Sequence, residues 1–543
     1  MLSYVSIKDT VVRLWNDNTF RKCIGIGSNV NITDIKDGTV YKENDYFKKN
    51  NTALAFQLYS DCVEVTNPLG AAKGTHKLLM VYVSILDIQP QYRSKIDSSF
   101  LVLVARYNEI KSSPELVFKK LIDDLKDLEA GIIIGEDVVK AGLLTYCGDN
   151  LECHEIGGFQ KYFHAGHPCR FCLIPYKKLQ EHFPPVPYLP LWTKEKYDAI
   201  VKYIQQDNNH RSTEAEILHV EQYIADLEAS KRVDEFEEDE SEDDDEPDED
   251  LIDGGEDEDE NEENEGRYGL RMACVFNELE AFHAVGSMAN DIFHDLFEGG
   301  LSMDVMSTIR AMVAANLFSI EEINKKISTY PYGSSEKRDR PRQLKENGKK
   351  DEKLPGKAIA VLNMMRILPF LIQDFINGHE NCLLKFILKA GIMLEIILLP
   401  TFTEGDILAL QDVITDYFIL RSLCSVEYPG FFWTLKPKHH YISHIPELIR
   451  RFGPPRLTWT ARYESKHRVA VNIMESAKSF NNTPYTIALR MQLRFGSCLY
   501  AGLYNPSGIL YESPISKGIG NQDITASVTV HGLRYQAGKF KTF

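Results

Sequence analysis

The sequence predicts a mixed α/β protein with a sheet-forming first part and a large, mostly helical insertion. Three apolar runs rich in Val, Leu, Ile and Tyr occupy residues 53–65, 76–86 and 100–107, and each has the length of a strand. Apolar residues three and four apart then predict a helix over 113–131, and residues 141–146 form a further strand-like run.

Three strands, one helix and one strand in this order are typical of a ribonuclease-H-like core, which carries acids at its first and fourth strands. Asp61 lies near the end of the first apolar run. Asp149 follows the run at 141–146 directly after Gly148. We therefore expect the two carboxylates to meet at one edge of a sheet.

The chain has 543 residues, enough for several domains and a large core. Its periodicity and composition divide it into five parts. These are an N-terminal helix and loop (1–50), the first part of the core (51–172), a mostly helical insertion (173–455), a helix that completes the core (456–500) and a C-terminal tail (501–543).

The net charge of -18 comes from one block of the insertion. Residues 234–265 contain 23 Asp or Glu and no Lys or Arg, so the rest of the chain carries -18 + 23 = +5. Like charges at this density repel and bury nothing apolar, so we expect a disordered, solvated loop at 234–266, with a mimic of a basic partner as the alternative. The mildly basic remainder permits a polyanionic partner.

Targeting and redox signals are weak. The N-terminus lacks the charged and apolar regions of a signal peptide. The most apolar window, Leu383–Pro400, is interrupted by Lys385, Lys389 and Glu395, which favours a core helix over a membrane span. Ten cysteines in such a chain indicate thiols or a metal site, not a disulfide framework.

The insertion is helical by its apolar period. Core helices are predicted at Met288–Val313 and at Ala358–Ile376, the second with a kink at Pro369. The polar, basic loop Glu336–Lys357 suits a nucleic-acid contact, a nuclear localisation patch or a plain exposed loop.

A second dense region, residues 431–468, alternates cations with aromatic residues. A break at Pro454-Pro455 precedes a predicted helix over Thr460–Ser476. Its cations are candidate nucleic-acid contacts, because Lys and Arg neutralise backbone phosphates. They are Lys436, Lys438, Arg450, Arg451, Arg462, Lys466 and Arg468.

Asp61, Asp149 and Glu464 form the candidate catalytic set. Cleavage of a phosphodiester needs an activated water or 3′-hydroxyl and a stabilised leaving oxyanion, and two Mg²⁺ ions supply both. Mg²⁺ prefers a few carboxylates and keeps much of its water, so two strand ends and one helix suffice. The alternative is three unrelated surface acids, since the chain has 79 Asp and Glu.

Cys169-Arg-Phe-Cys172 has the spacing of half a tetrahedral zinc site. We expect its remaining ligands to be remote, with His294 first and then His154 among several nearby Cys and His residues. The fourth ligand stays open, and a pair of buried thiols is the alternative. For His439, His440 and His444, packing or phosphate contact is favoured over metal binding.

Several segments in order resemble the transposase-derived proteins related to EnSpm/CACTA cut-and-paste DNA transposases. The matching residues span roughly 50–500. They are Leu58-Tyr-Ser-Asp61 with Asn67-Pro-Leu-Gly70, Gly148-Asp149-Asn150 with Gly157-Gly158-Phe159, Cys169-Arg-Phe-Cys172, Phe276-Asn277-Glu278, Asp291-Ile-Phe-His294-Asp295-Leu-Phe-Glu298-Gly299, Leu435-Lys-Pro-Lys-His439-His440 and Trp459-Thr-Ala-Arg462-Tyr-Glu464-Ser-Lys466-His467.

The resemblance implies a DDE catalytic core of ribonuclease-H-like fold, with Asp61, Asp149 and Glu464 as its acids. It implies Mg²⁺ or Mn²⁺ as cofactor, structural zinc at the CxxC pair, DNA as partner, a nuclear location and work as a multimer of identical chains. Such elements usually carry a DNA-binding region ahead of the core, whereas this chain begins almost at the core, as a truncated or domesticated copy would. A catalytically silent DNA- or chromatin-binding scaffold is therefore the alternative function.

Overall fold

The computed structural model describes most of the chain outside the acidic block. The described residues are 2–25, 31–65, 77–107, 113–164, 166–181, 190–207, 269–334, 336–345, 353–375, 381–431, 435–478, 481–505, 509–511, 516–517, 523–524, 527–530 and 533–536. The predictions for the loop at 234–266 and for the turn at 67–70 lie outside these residues.

A mixed five-stranded sheet is built from the first part of the chain. Its strands are β1 (Leu2–Tyr4), β2 (Leu54–Glu64), β3 (Lys77–Ile85), β4 (Ser99–Arg106) and β7 (Ala141–Cys147), while β5 (Ile132–Ile134) and β6 (Asp137–Val139) form a separate hairpin. The spatial order is β1-β4-β3-β2-β7. Strand β2 is antiparallel to β3 and parallel to β7, and β4 is antiparallel to both β3 and β1.

Twelve helices of eight or more residues lie in the described part of the chain. The first four are α1 (Ile7–Trp15), α2 (Pro114–Ala130), α3 (Asn150–Gly157) and α4 (Lys194–Asp207). The others are α5 (Gly300–Ala314), α6 (Ile320–Thr329), α7 (Ala358–Ile372), α8 (Cys382–Ile397), α9 (Glu404–Glu427), α10 (Pro437–Phe452), α11 (Ala461–Ala477) and α12 (Thr483–Tyr500).

Shorter elements connect these. They are helical turns at Asn18–Cys23, Ile35–Asp37, Thr39–Lys42, Asp45–Lys49, Pro90–Arg93, Ile96–Ser98, Tyr176–Glu181, Val275–Glu278, Ala284–Ser287, Gln373–Phe375 and Pro455–Leu457, and a π-helix at Phe293–Phe297. The C-terminal strands are β8 (Ile509–Tyr511), β9 (Ser516–Lys517), β10 (Asp523–Ile524), β11 (Ser527–Val530) and β12 (Leu533–Gln536).

Helices cover both faces of the sheet because side chains of each strand alternate between its faces. On β3, Val81 and Val83 pack into the core that contains α1 and α2. Met80 and Tyr82 point the other way, into a core that they share with α10, α11 and α12. The sheet is therefore the middle layer of three.

A separate helical core joins α5 to α10. It is built from apolar side chains, such as Ile309, Phe386 and Ile414. The stretch Ala358–Phe375 is long and apolar enough to cross a membrane, with mean hydropathy 1.4, but its buried fraction of 56% equally suits this core, into which its residues pack.

The mixed α/β class is confirmed, and the predicted strands and the helix α2 lie where the apolar pattern placed them. The helix predicted over Thr460–Ser476 is present as α11. The single helix predicted over Met288–Val313 is wrong in its first half. The backbone there forms a π-helix and leaves helical geometry at Gly299, whose Cα lies against the Asp295 carbonyl so closely that a side chain would collide with it.

Candidate carboxylate and Cys/His sites

Asp61 stands near the end of β2, the strand between β3 and β7. The Cys62 N–H donates to its Oδ1 at 2.7 Å, and the Tyr59 hydroxyl donates to its Oδ2 at 3.2 Å. Upstream of Asp61, β2 is fully buried, whereas from Asp61 onward it is half-buried. The carboxylate therefore lies where the strand emerges from the core.

Asp149 reaches the same edge of the sheet from the neighbouring strand. Because β2 and β7 are parallel, with Tyr59 opposite Cys147, residues just beyond both strands emerge together. Asp149 then caps α3, and its Oδ1 accepts the Glu152 N–H at 2.7 Å. Burial, with the facing Asp149 charge, raises the pKa of Asp61 to about 6.

Glu464 comes from the first turn of α11 and adds a smaller repulsion to Asp61. Its Oε1 accepts a hydrogen bond from the Thr460 hydroxyl at 3.1 Å and lies 3.6 Å from Nε2 of His294. Burial raises the pKa of Glu464, and the His294 charge opposes that rise. The third acid thus lies beside the other two but is held by a histidine.

The π-helix supplies that histidine. The Nδ1 of His294 is 2.6 Å from Oδ2 of Asp291, which also accepts the Thr460 hydroxyl at 2.6 Å. Burial lowers the pKa of His294, but Asp291, Glu464 and Glu298 outweigh this effect and raise it to about 9. At neutral pH the ring is therefore an imidazolium that offsets the surrounding carboxylates.

Glu152 is a fourth acid at this edge, which the sequence patterns did not single out. It accepts hydrogen bonds from Ser60 and Tyr146. Burial raises its pKa to about 8, and Asp149 and Asp61 add to the rise. Its position one turn after Asp149 on α3 was the available signal.

The carboxylate site (Asp61, Asp149 and Glu464) suits a hard divalent cation. Its acids offer half-buried carboxylate oxygens. Burial and then the Asp149 charge raise the pKa of Asp61, so a cation there would relieve unfavourable charge. One oxygen from each acid does not come within 4.8 Å of the others, since the one such group in the described residues lies elsewhere. Oxygens that bind one Mg²⁺ ion at about 2.1 Å lie at most about 4.2 Å apart. The three carboxylates therefore do not converge on one shared ion position in this structure.

The compact group is the Cys/His cluster (Cys169, Cys172, His440 and His444). The Cys169 Sγ lies 3.5 Å from Nε2 of His444, the Cys172 Sγ lies 3.2 Å from Nε2 of His440, and the two Nε2 atoms are 3.0 Å apart. Ligands of a tetrahedral zinc ion lie about 3.5 Å apart for S and N and about 3.3 Å for N and N. The four side chains therefore fit zinc closely.

Local structure explains the cluster. His440 and His444 lie four residues apart and share one face of α10, while the cysteines lie on the loop that follows α3. Burial raises the pKa of the Cys169 thiol, but the Cys172 thiol and the rings of His440 and His444 outweigh this and bring it below its ordinary value. A lowered thiol pKa favours the thiolate that a metal binds.

The expected zinc ligands His294 and His154 are corrected by this arrangement. His294 faces Asp291 and Glu464 instead. The His154 ring is buried, with Nδ1 2.7 Å from the Gln160 carbonyl and Nε2 3.1 Å from the Tyr441 hydroxyl. Burial lowers its pKa to about 3. The HxxxH spacing of His440 and His444 was the available signal for the histidines that meet the two cysteines, but packing or phosphate contact was favoured for them.

The packing interpretation does hold for His439. Its Nε2 lies 3.3 Å from Oδ1 of Asp304, a buried carboxylate that Arg421 and Tyr417 also contact. His439 therefore contacts Asp304 while His440, the next residue on α10, contacts Cys172, because neighbouring helix positions point to different faces.

The candidate nucleic-acid contacts separate into two groups. Three form structural contacts: Arg462 donates to the Arg93 carbonyl at 2.6 Å, buried Lys466 pairs with Asp97 at 2.9 Å, and Arg450 donates to Glu404 at 3.0 Å. The other four lie beside a pocket or nearer the surface. They are Lys436 and Lys438, which line a pocket beside α10, half-buried Arg451 and exposed Arg468.

Comparison with known proteins adds no family. No protein-family model matches the chain, and a search of curated proteins finds no match.

Proposed function

We propose that this chain is a DDE-type DNA transposase, or a domesticated derivative of one. Its reactions would be metal-dependent cleavage of DNA phosphodiesters and strand transfer, with Mg²⁺ or Mn²⁺ as cofactor. The observation that supports this most is the delivery of Asp61 and Asp149 to one sheet edge by parallel strands, with Glu464 of α11 beside them.

The topology is consistent with a ribonuclease-H-like core. Strands β2, β3 and β4 form an antiparallel meander, and β7 returns parallel to β2 after helix α2. The helical core between α5 and α10 would then be an insertion between the second and third acids. This is the arrangement that the resemblance to EnSpm/CACTA transposases implies.

The carboxylates would hold the ions. When bound, two such ions lower the pKa of an attacking water or 3′-hydroxyl and stabilise the leaving oxyanion. Glu152 would keep its proton near neutral pH, since its pKa is about 8. The His294 imidazolium orients Glu464 and would be a counter-charge to the scissile phosphate.

The Cys/His cluster would bind structural zinc. Its four protein ligands leave no open position, which is typical of a structural site and not of a catalytic one. Zinc there would fasten the loop after α3 to α10. It would thus tie the sheet to the helical core at a point close to Asp149.

The test is nicking of supercoiled plasmid by the full chain, with Mg²⁺ or Mn²⁺. Asp149→Asn should reduce the rate by at least about 10²-fold, because the bound ions contribute several kcal/mol to the transition state. Asp416→Asn, at an exposed ion pair with Lys389, is the matched control and should retain the rate. Equal cleavage by the parent and Asp149→Asn would contradict the proposal.

A catalytically silent DNA-binding scaffold is the second candidate. The contact between Glu464 and His294 favours it, because it occupies the third acid without a metal. This function predicts salt-dependent DNA binding by the parent with no turnover in Mg²⁺ or Mn²⁺. Metal-dependent nicking that Asp149→Asn removes would exclude it. Nuclear location and assembly of identical chains are proposed for both.

A further inference from the structure

A pocket of about 300 Å³ adjoins the carboxylate site. Its lining combines three ammonium groups with an aromatic and aliphatic wall. We call it the lysine pocket; its cations are Lys353, Lys436 and Lys438, and its apolar wall includes Phe163, Met303 and Tyr441. The volume is at the lower end for small-ligand sites, so there is room for one nucleotide-sized group.

Two connections fix the place of the pocket. Asn150, which lines it, directly follows Asp149. Lys438 donates from Nζ to the backbone carbonyl of His294 at 3.2 Å, and His294 lies 3.6 Å from Glu464. A group in the pocket would therefore sit beside the candidate cleavage site.

The three lysines act on one another across the pocket. Burial lowers the pKa of Lys353, and the nearby charges of Lys438 and Lys436 add to this, against one opposing carboxylate, Glu298. Lys438 also acts on the buried carboxyl of Asp295. Three ammonium groups that converge on one opening give it a positive potential, which attracts an anion. Of the residues that line the pocket, Tyr441 and Met303 are buried, whereas Lys353 is exposed to solvent.

We propose that the lysine pocket binds one unpaired nucleotide of a DNA strand, with its base against the apolar wall and its phosphate at the lysines. Contact with duplex phosphates alone needs cations and no apolar wall, whereas an unstacked base gains from aromatic and aliphatic surfaces. A base still in its stack does not enter so small a pocket and has to be extruded. The inference rests on the proposed function for its choice of DNA.

The experiment measures fluorescence anisotropy of a labelled twelve-nucleotide oligothymidine and of a duplex of equal length, using the full chain without added divalent ions. Phe163→Ala should weaken single-strand binding by about 5- to 100-fold, the range that one base–aromatic stack gives. Duplex binding should change less than about twofold. Phe163→Tyr keeps the ring and should restore binding, which controls for folding because Phe163 also packs on His154.

Neighbouring residues outside the pocket lining are matched controls. Tyr162 is exposed and adjacent to Phe163, so Tyr162→Ala should leave both affinities unchanged. Lys353→Gln should lower the salt slope of single-strand binding by about 0.7, and exposed Lys357→Gln should leave it unchanged.

Competition separates the sources of affinity. Thymidine monophosphate should displace the oligonucleotide at concentrations at which inorganic phosphate does not. Equal competition by phosphate would overturn the nucleotide assignment and leave an anion site. Equal effects of Phe163→Ala and Tyr162→Ala would overturn the pocket itself. Since binding is measured without divalent ions, these failures are distinct from a failure of metal-dependent cleavage.

Discussion

The segment from Asp149 to Cys172 begins in the carboxylate site and ends in the Cys/His cluster, yet the two sites differ in how their side chains interact. At the carboxylate site, burial and the repulsion between acids raise the pKa of Asp61 to about 6. At the cluster, four ligands already face one another at zinc-like distances. The first arrangement gathers negative charge that an exchangeable cation would relieve, and the second suits a closed structural ion.

This comparison predicts opposite effects of removing a ligand. The largest effect is expected for Cys172→Ser, which should abolish zinc binding and lower Tm by more than about 5 °C, because structural zinc contributes directly to folding free energy. Zinc content by mass spectrometry and a thermal melt measure both. The buried thiol of Cys153 lies outside the cluster, so Cys153→Ser should keep one zinc per chain. Zinc retained by Cys172→Ser would break the comparison.

His439 and His440, which are adjacent on α10, test which of the two binds zinc. His440→Ala should lose zinc, whereas His439→Ala should keep zinc and lose stability by about 1–3 kcal/mol, because it leaves buried Asp304 with one partner fewer. Denaturant unfolding with zinc analysis measures both. Loss of zinc in both variants would show that stability, not ligation, controls metal content.

The carboxylate site should respond to pH. The folded chain keeps a proton on Asp61 up to about pH 6, whereas the unfolded chain releases it near pH 4. The metal-free parent therefore loses stability through Asp61 as the pH rises from about 4 to about 6. Asp61→Asn removes this loss, so its stability relative to the parent should rise over that window and then level off. A constant difference from pH 4 to 7, measured by denaturant unfolding, would contradict the raised pKa of Asp61.

The smallest effect is expected among the surface cations. Arg468→Gln should reduce the salt slope of DNA binding by about 0.9, the value for one phosphate contact. Arg450→Gln should leave the slope nearly unchanged, since Arg450 already pairs with Glu404. Binding isotherms at several salt concentrations test this. A larger slope change for Arg450 would mean that DNA displaces Glu404.

Sequence patterns specified the local features of the fold well. Periodicity located β2, β3, β4, β7 and α2, because these elements bury one or both faces in the core. The break at Gly299 was missed, since the apolar period continues through it while the backbone does not. The pattern at Met288–Val313 carried no sign of the π-helix.

The sites show the same limit. The side chains of Asp61 and Asp149 could be placed because strand ends follow from the apolar runs. The zinc partners could not, since His440 lies 268 residues from Cys172 and their meeting depends on the packing of α10 against the loop after α3. The contacts of the cations near Glu464 could not be read from the sequence for a similar reason: it shows their charge but not the partners of Arg462 and Lys466 within the fold.

The central claim is that Asp61, Asp149 and Glu464 form a divalent-metal site, and counting bound Mn²⁺ by electron paramagnetic resonance tests it most directly. With zinc left in place, the full-length parent should bind Mn²⁺ at pH 7.5, and Asp149→Asn should lose that binding. The control Asp416→Asn should match the parent. Mn²⁺ binding by Asp149→Asn with the affinity and number of ions of the parent would contradict the claim.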